Sequence, residues 1–332
     1  MSGPTAVVLR AIGLGDMLTG LPAMALLRRA VPGHRIVGAV PGRYADLLVQ
    51  AGLLDAVLPT PSLEPLASAP TEPEIAVDLH GNGAPSRDLL QALRPGRLIA
   101  FARPGDDVPP GAEVSVWDDD EHEVARWCRL LREHLAGVGE APPVWTLLPA
   151  PPPVHPGATV VHPGAASGSR RWPVERWAAV ARALSADGHR VVVTGTPGEQ
   201  ALVEAVAAAA EAEAATDLDV EGLFGLIAAA RLLLSGDTGV AHVASAFGTP
   251  SVVLFGPVSP ARWGPPPRAR HQALWPAPDP GYRGDPHGND PDPVLLQIPV
   301  DDVLAAAERA VAGADVRKIS PAGSQVVAPG GS

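Results

Sequence analysis

The sequence predicts an α/β protein made of two doubly wound parallel sheets that face each other across a cleft. Three observations predict it. Short apolar runs alternate with helical patterns from Ala6 to Ala136, stop, and alternate again from Thr159 onward. The interruption at 142–156 carries Pro-Pro, then Pro-Ala-Pro-Pro-Pro, then His-Pro, and reads as a semi-rigid connector. A chain of 332 residues suits two domains, at roughly 100–200 residues each. The expected division is a Rossmann-like unit over 1–145, a linker over 146–156, a second such unit over 157–315, and a disordered tail over 316–332.

In the first half, Ala6–Ala11 and Arg35–Val40 read as strands. Between them Asp16–Ala30 has helical spacing, with Leu18, Leu21, Met24 and Leu27 on one side and Pro22 within the first two turns. A helix over Arg43–Ala51 and a strand over Ala56–Leu58 follow, then a proline-rich surface loop at 59–74. Strand Ile75–Leu79, a helix from Ser86 and strand Arg97–Phe101 come next. Trp117–Ala136 reads as one long amphipathic helix with Val124, Trp127, Leu131 and Leu135 facing inward and Cys128 in its middle. Asp118, Asp119 and Asp120 then fall in its first turn, where acids complement the helix dipole.

The second half opens with strand Thr159–His162, helix Pro173–Ala186 with a favourable early proline, and strand Arg190–Thr194. Helices Gly198–Ala210 and Val220–Ala230, strand Leu232–Ser235, helix Gly239–Phe247 and strand Ser251–Phe255 complete it. Residues 257–293 are rich in proline and glycine without periodicity and read as loop. The final helix, Asp301–Ala312, is expected either on this half or crossing back to brace the first.

Composition narrows the function. Apolar residues make up 46% and charged residues 18%, which excludes a chain disordered over most of its length. Lys plus Arg number 25 against 36 Asp plus Glu, for a net charge of -11. That balance argues against a broad basic face for nucleic acid or anionic membrane. A single cysteine excludes a disulfide framework and multi-cysteine zinc or iron–sulfur sites. No apolar run reaches the ~18 residues of a membrane span. The expected setting is that of a soluble cytoplasmic protein.

Three strand-to-helix loops carry the chemistry. Gly13-Leu14-Gly15-Asp16 follows the first strand, and its glycines allow close backbone approach by a ligand. A dinucleotide fingerprint would need a small residue where Leu18 stands, and an acid about 20 residues on, where Gly38–Pro41 has none. Asp16 fits a helix N-cap and a general base equally well. The second loop, His162-Pro163-Gly164 through Arg170-Arg171-Trp172-Pro173, pairs small residues and a helix start with two arginines suited to a diphosphate. The third, Asp237-Thr238-Gly239 with His242 beyond it, is explained by plain capping as readily as by a site.

Taken in order, these loops resemble glycosyltransferase family 9, the group that contains the bacterial ADP-heptose:lipopolysaccharide heptosyltransferases. The matching features are Gly13-Leu14-Gly15-Asp16 with Leu21-Pro22-Ala23, the His162 loop into Arg170-Arg171-Trp172-Pro173, and Asp237-Thr238-Gly239 with His242, followed by Phe255-Gly256-Pro257. The resemblance implies a GT-B fold and inverting, metal-independent transfer, with no cofactor besides the donor, from a nucleotide-diphosphate sugar, heptose or a related sugar, to a glycan or lipid-linked hydroxyl, with at most peripheral association at the inner face of the cell membrane. It implies Asp16 as the base, with Gly13 and Gly15 in the acceptor-side loop. It places Ser169 and Arg170 at the donor diphosphate, Arg170 where the family commonly has lysine. Glu199 falls at the ribose, and Asp237, Thr238, Gly239 and His242 at the donor sugar and phosphates. Two other readings stay open: a nucleotide-sugar-binding protein without turnover, and a GT-B-like epimerase or hydrolase.

Overall fold

The computed structural model describes residues 3–315, so the expected tail at 316–332 lies outside the described residues. The chain forms two six-stranded sheets, all of whose pairings are parallel.

The first sheet holds β1 (Thr5–Leu9), β2 (Arg35–Val40), β3 (Ala56–Pro59), β4 (Ile75–Asp78), β5 (Arg97–Ala102) and β6 (Glu113–Val116), in the order β3-β2-β1-β4-β5-β6. Its helices are α1 (Leu14–Ala30), α2 (Ala45–Gln50), α3 (Ala84–Gln91) and α4 (Glu123–His134). The second holds β7 (Thr159–His162), β8 (Val191–Thr194), β9 (Glu213–Ala215), β10 (Leu232–Gly236), β11 (Ser251–Leu254) and β12 (His271–Leu274), in the order β12-β11-β10-β7-β8-β9. Around it lie α5 (Val174–Ala186), α6 (Gln200–Ala209), α7 (Val220–Ala229), α8 (Gly239–Phe247), the short α9 (Pro260–Trp263) and α10 (Pro293–Leu296), and α11 (Val300–Asp315). Counted from its own first strand, each sheet has the same order, with its switch point between first and fourth strands.

The central strands are apolar and buried because helices cover both faces, the condition under which parallel strands lose polar alternation. Helix α1 is buried without interruption from Met17 to Leu27, since it packs on α4 on one side and α8 on the other. An apolar cluster therefore runs from Val8 and Ile36 through Leu18, Leu21 and Val243 into Val160 and Leu233 of the second sheet. The two sheets share this core. A second cluster joins α5, α6 and α11 to the outer face of the second sheet.

Several elements differ from expectation. Helix α1 begins at Leu14, so Pro22 sits in the third turn and leaves the Leu18 carbonyl without its helical donor. Helix α4 begins at Glu123, with His122 as its cap, and excludes Trp117 and the three aspartates. Trp117 instead packs edge-on against Phe101 and Trp127. Asp119 forms a bidentate pair with Arg103 at 2.7 and 2.8 Å, and Asp120 pairs with Arg283 of the second half, while Asp118 Oδ1 accepts from Asp120 N at 2.9 Å, so ion pairs and a local turn rather than the helix dipole account for these acids. Strands β6, β9 and β12, each at the edge of a sheet, stand where no strand was expected. The connector carries a 3-10 turn, Val144–Thr146, packed on α1 and α8. Helix α11 packs on β10, β11, β12 and α5, in the second half.

Candidate functional site

Both switch points open onto one cavity of about 890 Å³. From the first sheet, Leu14, Gly15 and Asp16 at the start of α1 form its wall. From the second come His162 at the end of β7, Arg170 and Arg171 after it, Thr196 and Glu199 after β8, and Asp237, Thr238, Gly239 and His242 after β10. Strand ends at a topological switch point are where open parallel sheets bind ligands, because the loops diverge there and leave a crevice. Here two such crevices meet.

The halves touch through glycine. A Cβ on Gly15 would lie 2.9 Å from His242 Cδ2 and 3.4 Å from the Gly239 Cα, and one on Gly239 would lie 3.1 Å from Leu14 Cβ. Two helix N-termini thus approach across the cavity at the backbone level. Gly13, by contrast, is exposed and outside the wall, and is the N-cap residue of α1. Asp16 is therefore not an N-cap. It is the third helical residue, half-buried, with Oδ2 3.5 Å from where a Gly13 side chain would begin. Its carboxylate lies against the helix start, where the unpaired amides and the macrodipole favour negative charge.

Across the cavity, Arg170 Nη1 lies 3.8 Å from Asp237 Oδ2, while its buried Nε has no protein partner. Burial pushes the Asp237 carboxyl up to about 6, against the pull of Arg170, and the nearby Asp16 adds to the rise. Plain capping does not explain this turn: Thr238 is the N-cap of α8, and its side chain makes no cap hydrogen bond. The α8 amides are left for a ligand. Burial also pushes His242 down to about 4, helped by His122 and Arg170, so its imidazole is neutral at physiological pH. Its ring packs edge-on against Trp263 at 5.9 Å.

Glu199 closes a capping box in which Thr196 N and Oγ1 each donate to Oε2 at 2.9 Å. A side chain at position 164 would collide with this carboxylate, which is why the loop after β7 needs glycine there. Arg171 donates from Nε to the Ala165 carbonyl at 2.9 Å, which folds the loop back on itself. Ser169 departs from the expected arrangement. It is buried outside the cavity wall, and its backbone is tied to Gly288 and Asp292 at 2.9 and 3.1 Å.

Some wall residues had no reading as site residues. His162 is buried with Nδ1 unpartnered, and burial lowers its pKa against the pull of Glu199. Leu218 and Leu223 add an apolar patch, and Arg262 and Trp263 come from α9. The Ser259-Pro260 start of α9 was a legible helix signal: the Ser259 hydroxyl accepts from Ala261 N at 3.2 Å, and proline occupies the first helical position. Among the described residues no group of three or more His, Cys, Asp or Glu could hold a metal ion, and no helix is long and apolar enough to cross a membrane.

With this geometry in place, the likenesses to known proteins become informative. Residues 114–278, about half of the chain, match the family described as glycosyltransferase family 9 (heptosyltransferase). Lipopolysaccharide heptosyltransferase 2 of Salmonella typhimurium is 34% identical over 106 residues, 30% of this chain and 30% of that one. Lipopolysaccharide heptosyltransferase 1 of Escherichia coli is 29% identical over 93 residues, 27% of this chain and 29% of that one. The matched stretch thus spans about a third or less of these relatives. Similarity in three dimensions is wider. A glycosyl transferase family 9 structure from Veillonella parvula superposes with a TM-score of 0.74 at 18% identity, covering 93% of this chain and 97% of that one. The E. coli ADP-heptose lps heptosyltransferase II structure gives 0.72 at 19% identity, covering 94% and 99%. The paired parallel sheets are a GT-B fold. With its three loops meeting at one cavity in the expected order, the chain belongs to glycosyltransferase family 9.

Proposed function

We propose that the protein transfers a glycosyl group from a nucleoside diphosphate sugar to a hydroxyl of a glycan or lipid-linked acceptor, with inversion at the anomeric carbon and no required metal. One observation carries this reading. A carboxylate on one sheet, Asp16, faces two arginines and a helix N-terminus on the other across a single cavity. A nucleophile and a leaving group on opposite sides of one carbon require this division.

Asp16 takes the proton of the acceptor hydroxyl as that oxygen attacks C1. The departing diphosphate gathers negative charge, which Arg170, Arg171 and the first-turn amides of α8 meet without a metal ion. Neutral His242 and the Asp237–Gly239 turn hold the sugar and phosphate oxygens. Glu199, whose Oε2 is engaged by Thr196, offers its other oxygen to the ribose hydroxyls. Leu218 and Leu223 supply an apolar face for the base. Ser169 supports this loop from beneath. The donor thus rests on residues 157–315 and the acceptor meets residues 1–145, with 146–156 between them. Such work suits the cytoplasm, and a lipid-linked acceptor would be met at the inner face of the membrane.

The relatives bear the name lipopolysaccharide heptosyltransferase, so ADP-heptose heads the donors to test. The experiment incubates the protein with a panel of sugar nucleotides in EDTA and follows nucleoside diphosphate release with and without glycan acceptors. Acceptor-dependent release, with an inverted product anomer, is the expected result. Release without acceptor would make the protein a hydrolase. Tight binding with no release from any donor would make it a binding protein.

A further inference from the structure

Arg10 follows the end of β1 and is fully buried, yet it lies outside the cavity wall. An arginine removed from water needs every donor engaged, and its partners are specific. Nε donates to the carbonyl oxygen of Asp16 at 2.6 Å, and Nη2 to Thr19 Oγ1 at 3.1 Å. Nη1 donates to the Leu79 carbonyl at the end of the first sheet. The Thr19 hydroxyl in turn donates to the same Asp16 carbonyl at 2.9 Å. Behind the guanidinium, Nη2 lies 3.7 Å from Glu123 Oε1, and Trp127 receives the cation on its ring at 4.8 Å. Glu123 is fixed in its turn by Trp127 Nε1 at 2.6 Å and by Arg126. The sequence makes room for this at Gly20, where any Cβ would collide with Arg10 Nε.

We propose that Arg10 is the positioning residue of the acceptor side: it anchors the first turn of α1 to the first sheet and so fixes where the Asp16 carboxylate meets the cavity. This rests on the reading of Asp16 as the base. The burial cost is large for a structural tie alone, and α1 already has a buried apolar face to hold it. What apolar packing cannot supply is a fixed register for the first turn, which the forked guanidinium gives by holding the Asp16 carbonyl, the Leu79 carbonyl and the Thr19 hydroxyl at once. Burial lowers the pKa of Arg10 itself, while Glu123 and Asp16 pull it back up. Arg10 touches no reactant, so its effect passes through Asp16.

The test joins amide hydrogen exchange to transfer kinetics in the full chain. In Arg10→Lys the amides of residues 17–21 should exchange faster and kcat at pH 7 should fall about tenfold, because a point charge cannot hold the forked contacts. The donor KM and nucleoside diphosphate affinity should not change. Gly20→Ala, which displaces the guanidinium without removing it, should act in the same way and carries the test if Arg10→Lys does not fold. Wild-type exchange or wild-type kcat in both variants would overturn the proposal. The failures are separable: faster exchange in the variants with no transfer by the wild type defeats the glycosyl-transfer reading and leaves the Arg10 tie standing.

Discussion

In each sheet a buried aspartate stands at the carboxyl end of the fourth strand in chain order, and the two residues have different surroundings. Asp78 is the last residue of β4, and Asp237 follows Gly236, the last of β10. Burial pushes both carboxyls up to about 6. Asp78 is sealed in: His80 N donates to Oδ1 at 2.9 Å, and Ser86, Gly81 and Arg87 favour its charged form without offsetting burial. Asp237 opens onto the cavity and faces Arg170. The same topology therefore produces the same electrostatic cost twice, and the neighbouring loop decides its use. In the first half the start of α1 contributes Asp16 to the cavity wall, while Asp78 stays beneath the surface. In the second, the loop after β7 brings arginines, and the aspartate itself reaches the cavity.

The largest test of this division is Asp16→Asn. If the carboxylate of the first half is the base and the second half holds the donor, turnover should fall about 10²–10⁴-fold. Affinity for nucleoside diphosphate should stay at the wild-type value, because its contacts are on the other sheet. Transfer rates and isothermal titration of one competent donor check both. Near wild-type turnover would break the comparison at its centre.

The paired aspartates give a second test, in stability. A carboxyl whose folded pKa is near 6 and whose ordinary value is 3.8 binds more protons when folded. Its contribution therefore falls as pH rises from about 4 to about 6, since the slope follows protons bound unfolded minus folded. His242 and His271, pushed down from 6.5 to about 4, bind fewer protons when folded and tilt the curve upward over nearly the same window. The wild type should thus show little net slope from these four groups. Asp78→Asn removes one downward contribution, so its gain over wild type should grow from near zero at pH 4 to about 3 kcal/mol at pH 7. Asp237→Asn should gain less, because it also removes the partner of Arg170. Urea unfolding across this range measures both, and a wild-type slope in Asp78→Asn would show that the buried acid is neutralised by another route.

Arg170→Ala probes the second half directly. Nucleoside diphosphate binding should weaken by about 1.5–3 kcal/mol, the range for hydrogen bonds to a charged group. Nucleoside binding should hardly change. Equal losses for both ligands, measured by calorimetry, would mean that the arginine acts through Asp237 and the loop rather than through phosphate.

The sequence made the central strands and both switch-point loops legible, because buried parallel strands are continuous apolar runs and the loops carry glycines and charges in fixed order. Strands β6, β9 and β12 were not legible for one shared reason. Each lies at a sheet edge, is three or four residues long, and needs no apolar run: β6 leaves Val116 63% exposed, and β9 begins Glu-Ala-Ala. The helix pattern at Trp117 misled because an aromatic cluster, not a helix face, buries that ring. Beside the site, Arg10 was hidden because the strand expected over Ala6–Ala11 enclosed it, whereas the strand ends at Leu9 and the side chain turns to the start of α1. His162 was visible, but its burial depends on Glu199 and the β8 loop, which are distant in sequence.

The smallest expected effect concerns the fold rather than the chemistry. An N-cap at Asp16 would make Asp16→Ala cost about 0.5–2 kcal/mol. Gly13 holds that position, and its absent side chain accepts nothing. What Asp16 contributes to stability is a negative charge in the first helical turn, about 0.3–1 kcal/mol. Thermal unfolding of Asp16→Ala and Asp16→Asn should therefore give the same small loss, because both remove the charge and neither removes a cap. The loss should shrink in high salt, since the interaction is partly exposed and screened. An alanine variant clearly less stable than the asparagine variant would restore a capping role for the side chain. Equal, salt-sensitive losses beside a collapse in turnover would assign the Asp16 carboxylate to the reaction and leave the start of α1 to Gly13 and Arg10.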